Sequence, residues 1–319
     1  MDRINWGIIG CGNVTEVKSG PAFRLTAHSD VTAVMRRNRE LAADYAQRHQ
    51  VDRYYDDATD LLNDPHVNAI YIATPPDSHE AYALAAIEKG LPVYIEKPVG
   101  INLAAARRIA AAVSASGVRA SVAHYRRRLP VFVRVKELLE EGYIGQVRHV
   151  DLRLWKTSPT ENAGWRLDPT LSGGGFFHDL APHQLDILLD YFGKPLKVSG
   201  IGTGEDPRVA GQVSGQVLFN NGILFNGSWN FIAPPHMNAD YCTITGDAGT
   251  IRFHFFRDFH LLTVETATGT ENFSFDTPAH VQAPLIAEVV QYFRGEGLNP
   301  VSVTDAVTGM EMMEQLLGL

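Results

Sequence analysis

An α/β fold in two parts is what the amino-acid sequence predicts: a doubly wound parallel (Rossmann) sheet over residues 1–122, then an α+β domain with a mostly antiparallel sheet over 123–319. Three observations predict it. The chain has 319 residues, more than one hydrophobic core usually serves, since cores stop growing at roughly 250–300 residues. Its first third alternates short β-branched runs with helix-length segments, the pattern of parallel strands joined by right-handed crossovers. From residue 198 the texture becomes successive strands punctuated by turn residues.

In order along the chain, the runs at 4–9, 31–35, 69–72, 93–95 and 118–122 read as strands. Between them, 40–49, 78–89 and 103–116 carry apolar residues at helical spacing. The helix opened by Gly10-Cys11-Gly12 is expected to break at Ser19-Gly20-Pro21, because Pro21 has no N–H to donate; a short helix or loop then starts at Pro21. A helix at 131–141 leads through turns at Gly142 and Gly145 into a longer strand at 147–155. Ser172-Gly173-Gly174-Gly175 opens a helix that runs to 192. Turn signals at Gly202-Thr203-Gly204, Asn220-Asn221-Gly222, Gly246-Asp247-Ala248-Gly249 and Thr268-Gly269 then divide a sheet carrying helices on one face. Asn221-Gly222 is the strongest hairpin signal among them. Helices at 283–294 and 304–317 close the chain.

Charge and composition exclude several function classes. Lys and Arg number 28 against 36 Asp and Glu, a net charge of −8, with 45% apolar residues. No basic excess exists to neutralise phosphates, so nucleic acid is not an expected partner. The one dense basic cluster, Arg126-Arg127-Arg128, reads as a solvated loop. No apolar run reaches the roughly 18 residues of a membrane span, and no leader pattern opens the chain; the expectation is a cytoplasmic protein with no membrane partner. Cys11 and Cys242 form neither a CxxC pair nor a disulfide framework.

The turn Gly10-Cys11-Gly12-Asn13-Val14 follows the first strand, where a dinucleotide-binding loop belongs. Gly10 permits the tight turn and Gly12 lets backbone approach a pyrophosphate; the third fingerprint position holds Thr15. An NAD-selective site ends its second strand in Asp or Glu, whereas this strand ends in Arg36-Arg37-Asn38. Guanidinium groups there suit a 2′-phosphate by charge and by forked donors. NADP(H) is therefore the expected cofactor, with Arg36 the main contact and Arg37 or Asn38 assisting, and NAD(H) is the second candidate. The competing reading is a solvated strand end whose arginines pair with nearby acids.

Two further motifs lie at the carboxyl ends of parallel strands: Ala73-Thr74-Pro75-Pro76 with His79, and Glu96-Lys97-Pro98. Open α/β sheets bind ligands there. With the Gly10/Gly12 turn, and with Gly173-Gly174-Gly175 followed by Asp179 and His183, they recur in an order and spacing that resembles the glucose-fructose oxidoreductase/inositol dehydrogenase (Gfo/Idh/MocA) family across essentially the whole chain. The resemblance implies that Lys97 and His183 are the catalytic pair, that Asp179 supports the substrate or orients the acid/base, and that the Lys97-Pro98 bond is cis. It also implies cofactor contacts from Thr74, Pro75, Pro76, His79, Glu96 and Lys97, and a homodimer or homotetramer. Gly164-Trp165-Arg166 is similar to a segment that reaches the cofactor in the family's 1,5-anhydrofructose reductase branch, with a packing tryptophan and surface arginine as the competing reading. His124, Tyr125 and Arg127 are candidates to line the substrate pocket, together with Lys97, Asp179 and His183.

The residues themselves suit the chemistry. Asp179 and His183 are four apart, hence on one helix face. A carbonyl that receives hydride develops negative charge on oxygen, which an ammonium stabilises. An imidazole then delivers the proton, or removes it in the oxidation direction. His178, Asp179 and His183 could instead ligate a metal, or Asp179 and His183 could cap a buried helix start; no further ligand set accompanies them, and no metal is expected. The expected activity is NADP(H)-dependent hydride transfer between nicotinamide and a carbonyl or secondary alcohol of a sugar, cyclitol or related polyol. Two alternatives stand beside it: an NAD-dependent glycoside hydrolase of the same fold with no net redox, and a non-catalytic cofactor-binding regulator.

Overall fold

A computed structural model describes residues 1–157, 164–204 and 209–319. The chain forms two compact units, one of residues 1–125 with 278–307, the other of 126–277 with 308–319. A single cut at 122/123 does not describe them, because the chain returns to the first unit near its end.

In the first unit the strands are β1 (Ile4–Ile9), β2 (Ser29–Met35), β3 (Arg53–Tyr55), β4 (Ala69–Ile72), β5 (Val93–Ile95) and β6 (Ala120–Val122). All neighbours are parallel, in the order β3-β2-β1-β4-β5-β6. The order reverses direction between β1 and β4, so a crevice opens at their carboxyl ends. The crossover helices are α1 (Asn13–Val17), α2 (Gly20–Leu25), α3 (Arg39–Arg48), α4 (Ala58–Leu62), α5 (His79–Glu88) and α6 (Leu103–Ser116). The expected break falls between α1 and α2, with Pro21 inside the first turn of α2, where its missing N–H costs nothing.

Residues 278–307 complete this unit. Val122 N–H donates to the Val301 carbonyl at 3.2 Å, and the Asn299 side chain donates to the Ala120 carbonyl at 2.8 Å. Edge strand β6 is thereby covered. Phe293 packs 5.5 Å from the ring of Trp6, which itself lies 4.7 Å from Phe23, so the return segment shares the core of the sheet.

The second unit opens with α7 (Pro130–Glu140), β7 (Val147–Trp155), α8 (Pro169–Ser172) and α9 (Gly175–Phe192). Strands β8 (Pro195–Thr203), β9 (Gln212–Phe219), β10 (Leu224–Asn230), β11 (Ala239–Gly246), β12 (Gly249–Phe253), β13 (Leu261–Thr266) and β14 (Gly269–Ser274) follow. With β7 they order as β14-β13-β12-β11-β7-β10-β9-β8, antiparallel throughout except β7 against β10. Alternation along the strands buries Val150, Leu152, Val217, Phe225, Trp229, Ile244 and Phe253 on one face. Phe177 of α9 meets Trp229 edge-on at 5.3 Å, and Phe132 of α7 meets Phe253 at 5.8 Å, so the helices cover that face, as expected. Helices α10 (Ala283–Arg294) and α11 (Val303–Leu317) end the chain.

Arg126 and Arg127 correct the sequence reading. Both are buried: Arg126 lies over the rings of Phe256 at 4.7 Å, Phe259 at 5.5 Å and Phe132 at 5.8 Å, while Arg127 forms a two-pronged bond to Asp186 at 2.9 and 2.7 Å. A buried arginine needs such partners, and with its fork committed to Asp186, Arg127 serves the fold. The expected solvated loop and the pocket-lining assignment of Arg127 both give way.

Candidate active site

The glycine turn is tied to the strand beside it. Gly10 and Cys11 donate their N–H groups to the Met35 carbonyl at 2.9 and 3.2 Å. Gly10 has φ +95°, and a methyl there would strike Thr74. Gly12 caps α1 and faces open space: a methyl group would meet nothing closer than the Gly10 carbonyl, at 3.9 Å. Thr15 explains its own departure from the fingerprint. Its hydroxyl accepts the Gly12 N–H at 2.9 Å and donates to the Gly12 carbonyl at 2.8 Å, a closed cap that fixes the turn. Asn13 is exposed and Val14 half-buried on the following turn. Unobstructed backbone at Gly12, on a turn held by Thr15 and Met35, fits the approach of a dinucleotide pyrophosphate.

At the end of β2, Arg36 is half-buried and Arg37 exposed. The Arg36 charge reaches Cys11, where it opposes the burial that pushes the thiol up to about 11. Among the described residues neither guanidinium is held in an ion pair, unlike Arg39, which binds Asp56 at 3.1 Å. Asn38 caps α3 through its side-chain oxygen, which accepts the Leu41 N–H at 2.9 Å, and its amide N–H groups are not used in that cap.

His79 is reassigned. It is fully buried, with Nδ1 2.9 Å from the Pro98 carbonyl and Nε2 2.8 Å from the Thr74 carbonyl. Burial lowers its pKa, opposed by those two carbonyls and by Glu96 and Asp77. With no surface left for a ligand, it packs between the Thr74-Pro75-Pro76 corner and the corner after β5, its one N–H in the neutral ring donating to one of the two carbonyls. The Lys97-Pro98 bond is cis, as the resemblance implies. Lys97 is half-buried there. The Glu96 carboxylate turns inward, accepting the Tyr71 hydroxyl at 2.6 Å and the Gln282 amide at 2.7 Å. His124 and Tyr125, just past β6, are each 5% exposed.

In the second unit, residues Gly164–Leu167 form one short helical turn that carries Trp165 and Arg166. The Arg166 guanidinium stacks 4.8 Å from the Trp165 ring and binds Asp179 at 2.6 Å. Asp179 and His183 follow each other by one turn on α9. His183 is buried with its ring 5.8 Å from Phe256. Phe256 is set in turn by Asp240, whose carboxylate gathers the N–H groups of Phe255, Phe256 and Arg257 at 3.2, 2.6 and 2.7 Å. Phe256 escaped the sequence reading because an aromatic in a turn carries no periodic signal. His178 points elsewhere: its ring lies over Gly174, and burial pushes its pKa down to about 4. Among the described residues no cluster of three or more His, Cys, Asp and Glu side chains is placed to hold a metal ion.

Comparison with known proteins gives consistent results. The oxidoreductase family with an NAD-binding Rossmann fold matches residues 4–124, and the GFO/IDH/MocA C-terminal domain matches residues 132–252. An oxidoreductase of Formosa agariphila is 44% identical over 99% of both chains. The 1,5-anhydro-D-fructose reductase of Ensifer adhaerens is 29% identical over 69% of this chain and 67% of its own. In fold, the chain is similar to levoglucosan dehydrogenase in complex with NADH and levoglucosan, with TM-score 0.88 at 21% identity, covering 99% of this chain and 96% of that one.

Proposed function

The chain belongs to the Gfo/Idh/MocA family of oxidoreductases, and from that premise we propose that it transfers hydride between NADP(H) and a carbonyl or secondary alcohol of a sugar or related polyol. The observation that carries the cofactor assignment is the end of β2, where two arginines outside any described ion pair stand in place of a ribose-binding acid, with the Arg36 charge felt at Cys11 in the glycine turn. The name of the Ensifer adhaerens reductase supports the sugar class.

The nicotinamide, when bound, supplies or accepts the hydride. Gly12 would let the pyrophosphate approach the backbone where α1 starts, on the turn that Gly10 and Thr15 shape, and Arg36 with Arg37 would grip the 2′-phosphate. Lys97 places its ammonium on the reacting oxygen and stabilises the negative charge that develops there. His183 gives that oxygen its proton, or removes it in oxidation. Asp179, fixed by Arg166, orients the substrate and holds the helix face on which His183 stands. The test is NADPH oxidation with 1,5-anhydro-D-fructose and a panel of ketoses and osones. Wild-type turnover with loss of roughly 10²- to 10⁴-fold in His183→Asn supports the assignment; undiminished turnover in that variant removes His183 from it.

A further inference from the structure

Gln282 reaches from the end of the chain into the strand ends of the first unit, and no sequence motif marks it. It is 1% exposed and stands immediately before α10. Its amide donates to Glu96 Oε1 at 2.7 Å, its side-chain oxygen faces the Tyr94 hydroxyl at 3.4 Å, and its backbone N–H donates to the Lys18 carbonyl at 3.3 Å. The same Glu96 oxygen accepts the Tyr71 hydroxyl at 2.6 Å. Ser19, buried at the break between α1 and α2, has its hydroxyl 3.1 Å from the Tyr71 oxygen. Since the phenol has one proton and the carboxylate is nearer and charged, Ser19 supplies the donor to the phenol. Burial and the Glu96 charge push the Tyr71 hydroxyl well up, so it stays a donor.

From this network we infer that Gln282, with Tyr71, is a positioning residue for Lys97, acting through Glu96; the inference rests on the catalytic reading of Lys97. Residue 96 is held on both sides. Its N–H bonds to the Ile72 carbonyl at 2.9 Å, and its second carboxylate oxygen faces the Lys97 N–H at 3.3 Å. Beyond Lys97 the Pro98 carbonyl packs 2.9 Å from the buried His79 ring. Lys97 therefore sits between two pinned neighbours, and Gln282 supplies one of the two side-chain donors that pin the first.

A role confined to docking the return segment does not account for the amide. Asn299 and Val301 on β6, Phe293 on Trp6, and the Arg119 guanidinium on the Phe293 carbonyl at 2.7 Å already dock it. The broken first helix acquires a purpose on this reading: the interruption presents the Lys18 carbonyl and the Ser19 hydroxyl to the network.

The test is steady-state NADPH oxidation with 1,5-anhydro-D-fructose by full-length Gln282→Leu, Glu96→Gln, their double variant, Tyr71→Phe and Lys97→Met. Misplacing a reacting group by about 1 Å costs on the order of 10²-fold, so Gln282→Leu is expected to lose about tenfold or more in kcat while the KM for NADPH stays within about twofold. The double variant should be no slower than Glu96→Gln alone, because both act through one carboxylate. Tyr71→Phe, which leaves the return segment untouched, should lower kcat in the same sense and serves if Gln282→Leu does not fold. Wild-type kcat in Gln282→Leu or Tyr71→Phe, or additive losses in the double variant, overturns the inference. Turnover retained by Lys97→Met overturns instead the catalytic reading on which it rests.

Discussion

Two glycine turns open helices in this molecule, and they serve opposite ends. At Gly10-Cys11-Gly12 the glycines leave room: α1 is five residues long, and the space over Gly12 is clear of protein. At Gly173-Gly174-Gly175 they are filled by the protein itself: the His178 ring occupies the place a methyl group on Gly174 would take, and α9 runs on for 18 residues. The first turn yields a surface for something brought from outside. The second fixes where a buried helix starts, and so where Asp179 and His183 stand. A glycine run before a helix carries no meaning by itself; what lies over the missing side chain decides it.

The same substitution in both turns tests this contrast with the largest expected effect. Gly174→Ala drives a methyl into a buried ring with nowhere to turn, and should cost about 3 kcal/mol or more of stability, seen as a lower urea midpoint. Gly12→Ala should leave stability within about 0.5 kcal/mol and instead weaken NADPH binding about tenfold or more, by holding the pyrophosphate off the backbone. Equal stability losses in the two variants would break the comparison.

A second experiment sharpens it through pH. His178, packed over Gly174, has its pKa lowered from 6.5 to about 4 by burial. Between those values the unfolded chain binds a proton that the folded chain refuses. Its contribution is therefore complete above pH 6.5 and is lost as the pH falls toward about 4, by up to about 3 kcal/mol. His178→Gln should flatten the pH dependence of the urea midpoint across that window. An unchanged slope would place the acid sensitivity elsewhere.

Most of the scaffold is legible in the sequence because its signals are local. β1, β4 and β5 stand where the apolar runs lie, Pro21 breaks the first helix, and Asn221-Gly222 turns β9 into β10. β3 carries no such signal, being a three-residue edge strand with a charged residue and partly exposed tyrosines. The strand-end motifs at Thr74 and Lys97 are readable for the same reason, since each follows its strand directly. What escapes are the long-range partners. Gln282 meets Glu96 across 186 positions of sequence, and the Arg127–Asp186 pair turns an apparently solvated basic run into buried structure. Polar groups of this kind are placed by the assembled core, and nothing in their neighbours along the chain announces it. His79 shows the converse, a motif residue whose ring is enclosed by the protein, each nitrogen facing a backbone carbonyl.

Binding of NADPH and NADH to cofactor-free protein, followed in parallel by nicotinamide fluorescence with wild type and Arg36→Asp, tests the central claim most directly. Charge-assisted bonds to a 2′-phosphate contribute about 1.5–3 kcal/mol, so wild type should bind NADPH about tenfold or more tightly, and Arg36→Asp should erase or reverse the preference. Equal or tighter binding of NADH, a ratio indifferent to Arg36→Asp, or protein that purifies with NAD firmly bound would contradict the account.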